Sequence, residues 1–254
     1  MKIKEAYQKM AEGLGMKPEM MPYLNEINLD LAVINPMLAD TIRQFGKVME
    51  LRPGQTVLEL ACGKAGVSLP MAYVYKVRLT GVDLMPDFIG EAWSRAEYSG
   101  LAELCNFMTE DAVKFVEQAK GQWDAVLCVG VLSHLWNGLE NGVQKIKPLV
   151  KPGGHLLIGE PYLKPGQEPY CGLSAGKDDI SGLLEKYGKI ISVFDDGADG
   201  WQAYIDPQQK SVDRLKEDIE DNPELVAFLD GWMNRLASDR EHLGFAAWVV
   251  KVDA

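Results

Sequence analysis

Acidic residues end two predicted strands, in positions where they could bind the sugar of a nucleoside. The stretch 56–66 has the pattern of a buried strand that reaches Glu59, turns through small residues and Gly63, and enters a helix. Such a turn exposes backbone N–H groups and a helix N-terminus beside a carboxylate, which suits a small polar ligand carrying both charges. Asp83 ends the next strand about 20 residues beyond the turn, where an acid can accept hydrogen bonds from ribose hydroxyls. The two acids together predict a nucleoside-binding site.

Composition restricts the partners of this chain. It has 254 residues, with 26 Lys and Arg against 37 Asp and Glu, for a net charge of −11. An acidic surface repels phosphate backbones, which argues against nucleic-acid substrates and favours a small molecule. No apolar run approaches the roughly 20 residues of a membrane span, and the N-terminus lacks an apolar signal core. We therefore expect a cytoplasmic protein with no membrane partner.

The cysteines give no sign of a metal site. They form no C-x-x-C pair and show no Cys/His spacing typical of zinc, and most lie in or at the end of predicted strands, where a free thiol acts as a small apolar group. We expect a reduced protein without a structural metal. The four are Cys62, Cys105, Cys128 and Cys171.

Strand and helix patterns alternate through the middle of the chain. Strands are predicted at about 56–61, 78–83, 104–110, 123–129 and 154–160, with helices near 66–75, 86–98, 112–119 and 138–147. This alternation predicts right-handed βαβ units and a parallel sheet covered by helices on both faces. Ligands of such sheets bind at the carboxyl ends of the strands.

Helical segments flank this core. We expect one domain over 1–254, with an N-terminal helical cover (1–50), a core (51–197 and 241–254) and a helical insertion (198–240). Asn35-Pro36 is expected to cap the second helix, and Asp206-Pro207 and Asn222-Pro223 to open the two helices of the insertion. A sixth strand at 189–194 and a last strand near 245–250 complete the sheet.

Five motifs in order resemble those of the class I S-adenosylmethionine-dependent methyltransferases, over about residues 50–165. They are 57–63 (VLELACG), 81–89 (GVDLMPDFI), 107–112 (FMTEDA), 123–134 (WDAVLCVGVLSH) and 149–158 (LVKPGGHLLI). The first motif departs from the usual pattern, because Ala61 and Ala65 replace glycines and Gly66 follows one place late. The resemblance implies a doubly wound α/β, Rossmann-like seven-stranded sheet whose last strand is antiparallel. The regions 159–162 and 200–204 resemble, more loosely, a poorly characterised prokaryotic small-molecule branch of that family.

The resemblance also implies roles in holding S-adenosyl-L-methionine. Glu59 and the turn would hold its methionine part, Asp83 its ribose, and Asp111 its adenine amino group, while Leu84 or Met85 would cover an adenine face. Each acid has a structural alternative: Asp83 and Asp111 could cap the helices that follow them, and Glu59 needs a partner in any buried turn. The full predicted set is Glu59, Ala61, Cys62, Gly63, Asp83, Leu84, Asp111, Ala112, Val129 and Gly130.

The sequence indicates catalytic residues less clearly than cofactor-binding residues, because methyl transfer mainly needs alignment, exclusion of water and removal of one proton. His134 follows the fourth strand and could orient or deprotonate the acceptor, or satisfy a loop carbonyl. Glu160 ends the fifth strand and could act as a base, anchor a cationic substrate, or bond to the N-terminal helices. Tyr162 could pack on the substrate or belong to the core.

We therefore expect a methyltransferase that acts on a small-molecule O, N or S nucleophile. One alternative is a nicotinamide-dependent oxidoreductase, but that class has G-x-G-x-x-G where this chain has only Ala61-x-Gly63-x-x-Gly66. A second alternative is a module that binds S-adenosylmethionine without catalysis.

Overall fold

A computed structural model describes residues 3–219 and 222–253 of the chain. Its centre is one seven-stranded sheet in the order β3-β2-β1-β4-β5-β7-β6. Strands β1 to β5 are parallel, and β7 runs antiparallel between β5 and β6. The strands are β1 (Thr56–Leu60), β2 (Arg78–Asp83), β3 (Cys105–Thr109), β4 (Trp123–Val129), β5 (Val150–Leu163), β6 (Lys189–Phe194) and β7 (Leu243–Lys251). This confirms the predicted fold class.

Eleven α-helices are assigned within the described ranges. They are α1 (Ile3–Leu14), α2 (Met21–Ile27), α3 (Ala39–Val48), α4 (Leu69–Tyr75), α5 (Pro86–Tyr98), α6 (Ala112–Gln118), α7 (Leu132–Leu135), α8 (Leu139–Ile146), α9 (Lys177–Leu184), α10 (Gly197–Asp218) and α11 (Pro223–His242). Short 3-10 helices lie at Pro18–Met20, Ala102–Leu104 and Lys147–Leu149. None of these α-helices is long and apolar enough to cross a bilayer.

Both faces of the sheet are covered by helices. On one face of the sheet, α3, α4 and α5 pack on buried strand side chains such as Val57 and Leu127. On the other, α6, α8 and α9 pack on the alternating set that includes Leu58 and Val126. This alternation is the period of two expected of strands buried on both sides. The four cysteines are free thiols.

The remaining helices assemble over one end of the sheet. Met21 and Leu24 of α2 form an apolar cluster with Met85, which lies two residues beyond the end of β2. Ile27 of α2 packs in turn with buried residues of α10 and α11, including Val212. We call α1, α2, α10 and α11, with the segment 28–38 that follows α2, the helical cap. Because Met85 lies just beyond the carboxyl end of β2, the cap sits at the edge where ligands bind in sheets of this type.

Two predicted helix starts are wrong. Asn35-Pro36 does not cap α3, which begins at Ala39, because the Asn35 carbonyl accepts from Met37 N–H in a separate turn (2.8 Å). Asp206-Pro207 opens no helix, since Pro207 lies inside the continuous α10. A proline there removes one helix hydrogen bond, and burial of the helix on both sides of it offsets that cost. The third expectation is met: Asn222 caps α11, its side chain accepting from Leu225 N–H (3.1 Å).

Candidate active site

The turn after β1 takes a backbone shape that places small residues in unusual positions. Ala61, Gly63 and Ala65 all have φ in the left-handed region, at 51°, 51° and 56°. Small residues tolerate this region best, and glycine does so without steric cost. α4 therefore begins at Leu69 and not at 66 as predicted, because the chain is still turning.

Gly66 explains the departure from the usual glycine pattern. A Cβ on Gly66 would lie 2.0 Å from the backbone oxygen of Ala32, in the segment that follows α2. A glycine is thus required at 66 for the helical cap to approach the turn. The glycine lies at 66 and not at 65 because the Ala32 backbone packs against position 66. Ile34 of the same segment lies against Gly63, where its Cδ1 would be 3.6 Å from an added Cβ.

Glu59 is a buried carboxylate, 3% exposed. Its Oε2 accepts a hydrogen bond from the Ser68 hydroxyl. Burial raises the pKa of Glu59 to about 8; the hydrogen bonds from Ser68 oppose this shift, and the nearby charge of Asp83 adds to it. At neutral pH the unliganded chain therefore holds this acid mostly in its protonated form.

Asp83 is also buried, at 6% exposure, and joins the turn to the end of β2. Its Oδ2 accepts from Gly63 N–H (2.7 Å) and its Oδ1 from Met85 N–H (2.8 Å). Burial raises its pKa, and these backbone hydrogen bonds partly offset the rise. Each oxygen of a carboxylate can accept more than one hydrogen bond, so Asp83 retains capacity for a ligand hydroxyl.

Asp111 lies at the same edge, one strand further out. The backbone of Glu110 donates to the Asp83 carbonyl (2.9 Å), which brings the ends of β2 and β3 together. Oδ1 of Asp111 caps α6 by accepting from Val113 N–H (2.9 Å), and Oδ2 forms an ion pair with Lys9 of α1. The capping role that the sequence allowed is therefore present, while the predicted adenine contact stays a prediction.

The other predicted cofactor residues line the same edge. Cys62 is buried in the turn. Burial is the main cause that raises the pKa of its thiol well above the usual value, and the charges of Asp83 and Glu59 add to the rise. Cys62 is therefore a neutral thiol. Leu84 is half-buried, whereas Met85 is committed to the cap cluster, which leaves Leu84 as the better candidate for an adenine face. Ala61 and Gly130 are half-buried, and Ala112 and Val129 are buried.

Glu160 has a local partner that the sequence did not indicate. Its Oε1 accepts from Ser133 N–H (3.0 Å) and its Oε2 from the Ser133 hydroxyl (2.6 Å). It therefore binds α7, and among the described contacts none joins it to the N-terminal helices, so that alternative is wrong. Burial raises the pKa of Glu160, and the Ser133 hydrogen bonds oppose the rise.

The other two catalytic candidates differ in how they are held. His134 is exposed on α7, and no hydrogen bond or ion pair of its ring is found within the described chain. Tyr162 lies in β5, and its buried side chain extends over the neighbouring strand β7. Its hydroxyl donates to Asp195 Oδ2 (2.7 Å). A Cβ on Gly244 would lie 2.1 Å from the Tyr162 ring, so the ring crosses β7 where only glycine fits. Catalytic roles for His134, Glu160 and Tyr162 stay predictions.

Two cations that sequence reasoning missed fasten the cap to the turn. Lys64 is buried, and its Nζ donates to the carbonyls of Asn28 (2.9 Å) and Leu29 (3.1 Å) and pairs with Glu91 (2.7 Å). Arg95 donates to the Ala32 and Lys64 carbonyls, each at 3.1 Å. A lysine within a turn of small residues was the available signal, since a buried ammonium must find acceptors.

The charge of the edge fits the cofactor that the resemblance implies. In the described ranges, neither Glu59 nor Asp83 is paired with a cation, and their polar partners are Ser68 and backbone N–H groups. S-adenosylmethionine carries a sulfonium and an ammonium, which would compensate such acids, and ribose hydroxyls that would donate to Asp83. The residues present therefore fit this group.

Comparisons with known proteins agree with this geometry. Residues 57–154 match the family model described as a methyltransferase domain. The uncharacterized protein YjhP of Escherichia coli (strain K12) is 28% identical over 181 residues, covering 67% of this chain and 72% of that protein. The solved structure of YjhP has a TM-score of 0.80 at 22% identity, covering 90% of this chain and 98% of that one.

Other relatives are named by activity. A SAM-dependent methyltransferase from Geobacter sulfurreducens, solved in complex with S-adenosyl-L-homocysteine, has a TM-score of 0.77 at 25% identity and covers 90% of this chain and 97% of its own. Phosphoethanolamine N-methyltransferase 1 of Arabidopsis thaliana is 26% identical over 221 residues, or 81% of this chain, which spans only 44% of that protein. Residues 57–154 of the chain therefore form a methyltransferase domain, and over most of its length the chain has the seven-stranded fold of solved S-adenosylmethionine-dependent methyltransferases.

Proposed function

We propose that this methyltransferase acts on a small molecule through an O, N or S nucleophile. The observation that carries the proposal is the helical cap over the carboxyl edge of the sheet. Met85 is packed under α1 and α2, and Gly66 is in contact with the backbone after α2. A site covered in this way admits a small acceptor more readily than a folded macromolecule, and the net charge of −11 disfavours nucleic acid.

The relatives support the same substrate class. The name of the Arabidopsis protein specifies a small acceptor, phosphoethanolamine. That protein is more than twice the length matched here, so its substrate supports a class of acceptor and not an identity.

The proposed cofactor contacts follow the geometry of the edge. The turn 61–63 and Glu59 hold the charged methionine part, Asp83 accepts from the ribose, and Leu84 and Ala112 border the adenine. Asp111 accepts from the adenine amino group with Oδ2, which then separates from Lys9. Val129 and Gly130 form the wall after β4, where the positive φ of Gly130 (98°) turns the backbone away.

The chemistry asked of the chain is alignment and proton removal. Bound S-adenosylmethionine supplies a methyl group activated by a positively charged sulfur. The acceptor lone pair forms the new bond to the methyl carbon as the carbon–sulfur bond breaks, with its electron pair kept by sulfur, and the acceptor proton passes to a base or to water. Glu160 suits the role of base because burial brings its pKa closer to neutral. His134 would orient the acceptor, and Tyr162 would support the wall of the site.

The test is a transfer assay with tritiated methyl groups over a cell extract fractionated by size. We expect the wild-type protein to label the small-molecule fraction. Asp83→Asn removes the carboxylate with little change of shape, and we expect cofactor affinity to fall about tenfold or more. Asp40→Ala removes an acid from the exposed face of α3 and serves as the matched control, with wild-type affinity expected. Label in the macromolecular fraction alone would contradict the proposal.

A further inference from the structure

Among the buried polar atoms that have no hydrogen-bond partner in the described chain, two belong to adjoining segments of the helical cap. They are Oδ1 of Asn35 and Nε1 of Trp201, in side chains 7% and 5% exposed. One is an acceptor and the other a donor, yet they do not bond to each other. Buried polar groups are usually satisfied, and leaving one unsatisfied destabilises the fold, so such a pair calls for an explanation.

The chain packs the two segments that carry these residues against each other. Gly200, next to Trp201, packs on Pro36, next to Asn35: a Cβ on Gly200 would lie 2.4 Å from the Pro36 oxygen. The contact is held further by Asp196, whose Oδ2 accepts from Leu38 N–H (2.8 Å). The first turn of α10 and the segment 34–36 are therefore fixed against each other.

The same place adjoins the cofactor turn. Ile34, the residue before Asn35, lies against Gly63, whose N–H donates to Asp83. The segment 34–36 thus runs from the turn that is proposed to hold the methionine part to the first turn of α10. An acceptor must lie beside that part of the cofactor, because the transferred methyl group is carried there.

The Trp201 side chain is buried but is not part of an apolar cluster in the described chain. It belongs to none of the four apolar clusters formed by the described residues, and its ring contact is with Tyr204, at 6.3 Å between centroids. Two other amides in the cap have an unpaired oxygen, but each donates through Nδ2: Asn25 to Tyr7 and Asp87, and Asn28 to the Leu24 carbonyl. No such donation is found for Asn35 in the described part of the chain.

The charge here differs from what a phosphorylated acceptor requires. The segments 28–42 and 195–206 contain no Lys or Arg and six Asp residues, Asp30, Asp40, Asp195, Asp196, Asp199 and Asp206. Nearby cations are engaged, since Lys177 pairs with Asp195 (2.8 Å) and Lys64 with Glu91 (2.7 Å). Phosphate recognition relies on free Arg, Lys or helix N-termini, and the N-terminus of α10 is already occupied by an acid, since Gly197 N–H donates to Asp195 Oδ1 (3.1 Å). The site is therefore unsuited to an acceptor such as phosphoethanolamine.

We propose that Asn35 and Trp201 bind the methyl acceptor, and that the acceptor is an uncharged small molecule without phosphate. It presents a hydroxyl or amino hydrogen to Oδ1 of Asn35 and an oxygen or nitrogen lone pair to Nε1 of Trp201. This inference rests on the proposed function, and it names the recognition chemistry that the function leaves open. Both residues are specificity determinants and not catalytic groups.

The test measures binding of defined probes in the presence of S-adenosylhomocysteine, by saturation-transfer NMR. Catechol and 2-aminophenol are the neutral probes with adjacent donor and acceptor groups, and phosphoethanolamine is the charged comparison. We expect the neutral probes to bind and phosphoethanolamine not to bind. Trp201→Phe and Asn35→Leu should each weaken the neutral probes about tenfold or more while cofactor affinity is unchanged.

Stability separates a binding role from a structural one. Because neither polar atom has a partner in the unliganded protein, Trp201→Phe and Asn35→Leu should leave the thermal midpoint unchanged or raise it. Trp93→Phe is the matched control, since Nε1 of Trp93 donates to the Phe107 carbonyl (3.1 Å). That variant should lower the midpoint and leave probe binding as in the wild type.

The outcomes are distinct. Failure of the neutral probes to bind at millimolar concentration, tighter binding of phosphoethanolamine, or equal binding by the variants and the wild type overturns the inference while cofactor binding stands. Loss of S-adenosylhomocysteine binding by the wild-type protein itself would instead overturn the proposed function.

Discussion

Glu59 combines deep burial with a polar partner that cannot neutralise it. Ser68 donates a hydrogen bond, but no salt bridge to Glu59 is present in the described residues, and burial raises its pKa to about 8. In the unliganded protein at neutral pH the group is mostly protonated. A cationic ligand beside it would favour the ionised form, so binding and ionisation are linked.

This linkage gives a pH dependence with a defined sign. The folded pKa lies above the ordinary value of 4.5, so the unliganded fold loses stability from this group as pH rises from about 4.5 to 8. Cofactor affinity changes in the opposite direction: it should rise as pH approaches 8 and then level off, with release of a proton on binding below that pH. Calorimetry in buffers of different ionisation enthalpy measures both quantities.

Glu59→Gln removes the titration while keeping the size of the side chain. We expect this variant to bind the cofactor more weakly and with little dependence on pH between about 6 and 8. Glu117→Gln, on the exposed side of α6, is the control and should keep the wild-type profile. An unchanged profile in Glu59→Gln would show that another group carries the dependence.

At the scale of elements, the turn after β1 and the segment after α2 depend on each other. Gly66 admits the Ala32 backbone, Lys64 donates to the carbonyls at 28 and 29, and Arg95 donates to Ala32 and to the turn itself. The turn thus receives support from the cap as well as from its own strand and helix. A change at this contact should affect stability and cofactor affinity together.

Gly66→Ala tests that coupling. A Cβ there would meet a backbone oxygen at 2.0 Å, which a side-chain rotation cannot relieve, so the segment must move. We expect a loss of about 1–3 kcal/mol in the free energy of unfolding, measured by urea denaturation, and weaker cofactor binding.

Gly90→Ala is the matched control. An added Cβ on Gly90, in α5, meets no atom within 4 Å, and alanine is the better helix former. This change should raise the free energy of unfolding by about 0.5–1 kcal/mol without changing cofactor affinity. Equal effects of the two substitutions would mean that the cap does not depend on Gly66.

At the scale of the whole molecule, α1 is joined to the sheet through the acid predicted to bind adenine. Lys9 pairs with Asp111, and Tyr7 donates to Asp87 at the start of α5. An adenine amino group that used Oδ2 of Asp111 would have to displace Lys9. If adenine takes the proposed contact, the cap and the cofactor compete for one carboxylate oxygen.

Lys9→Ala should relieve that competition. Lys9 is half exposed, and an ion pair of this kind contributes about 1 kcal/mol or less, so we expect cofactor affinity to rise by up to about fivefold. The measurement is the association rate and affinity of S-adenosylmethionine by stopped-flow fluorescence. Lys4→Ala removes the same charge from the same helix, and a matching gain there would indicate a general effect of charge.

Much of the fold follows from local patterns. The predicted strand β2 and helix α5 have the predicted bounds, 78–83 and 86–98, because buried strands alternate with helices whose starts carry clear signals. The resemblance to methyltransferases, the enzyme class and the cofactor are likewise confirmed, since they depend on motifs that are contiguous in the chain. The predicted domain boundaries, site roles and cytoplasmic location stay predictions.

The errors occur where contacts between distant segments decide the structure. Asp206-Pro207 has the pattern of a helix start, yet packing against α2 and α11 keeps α10 continuous through the proline. The sequence allows Glu160 to bond to the N-terminal helices as one of three alternatives, but the pairing of β4 with β5 places Ser133 beside it. Local propensity holds no information about such neighbours.

The amino-acid sequence alone determined the order of strands and helices, the acids at the strand ends and the family they indicate, because each depends on residues close together along the chain. Only the tertiary structure decided that Gly66 serves the cap, that Lys9 pairs with Asp111, and that Asn35 and Trp201 lie on adjoining segments with unpaired polar groups. The physical reason is that burial and hydrogen-bond satisfaction depend on which distant segments pack together, and those segments here are more than 20 residues apart in the chain.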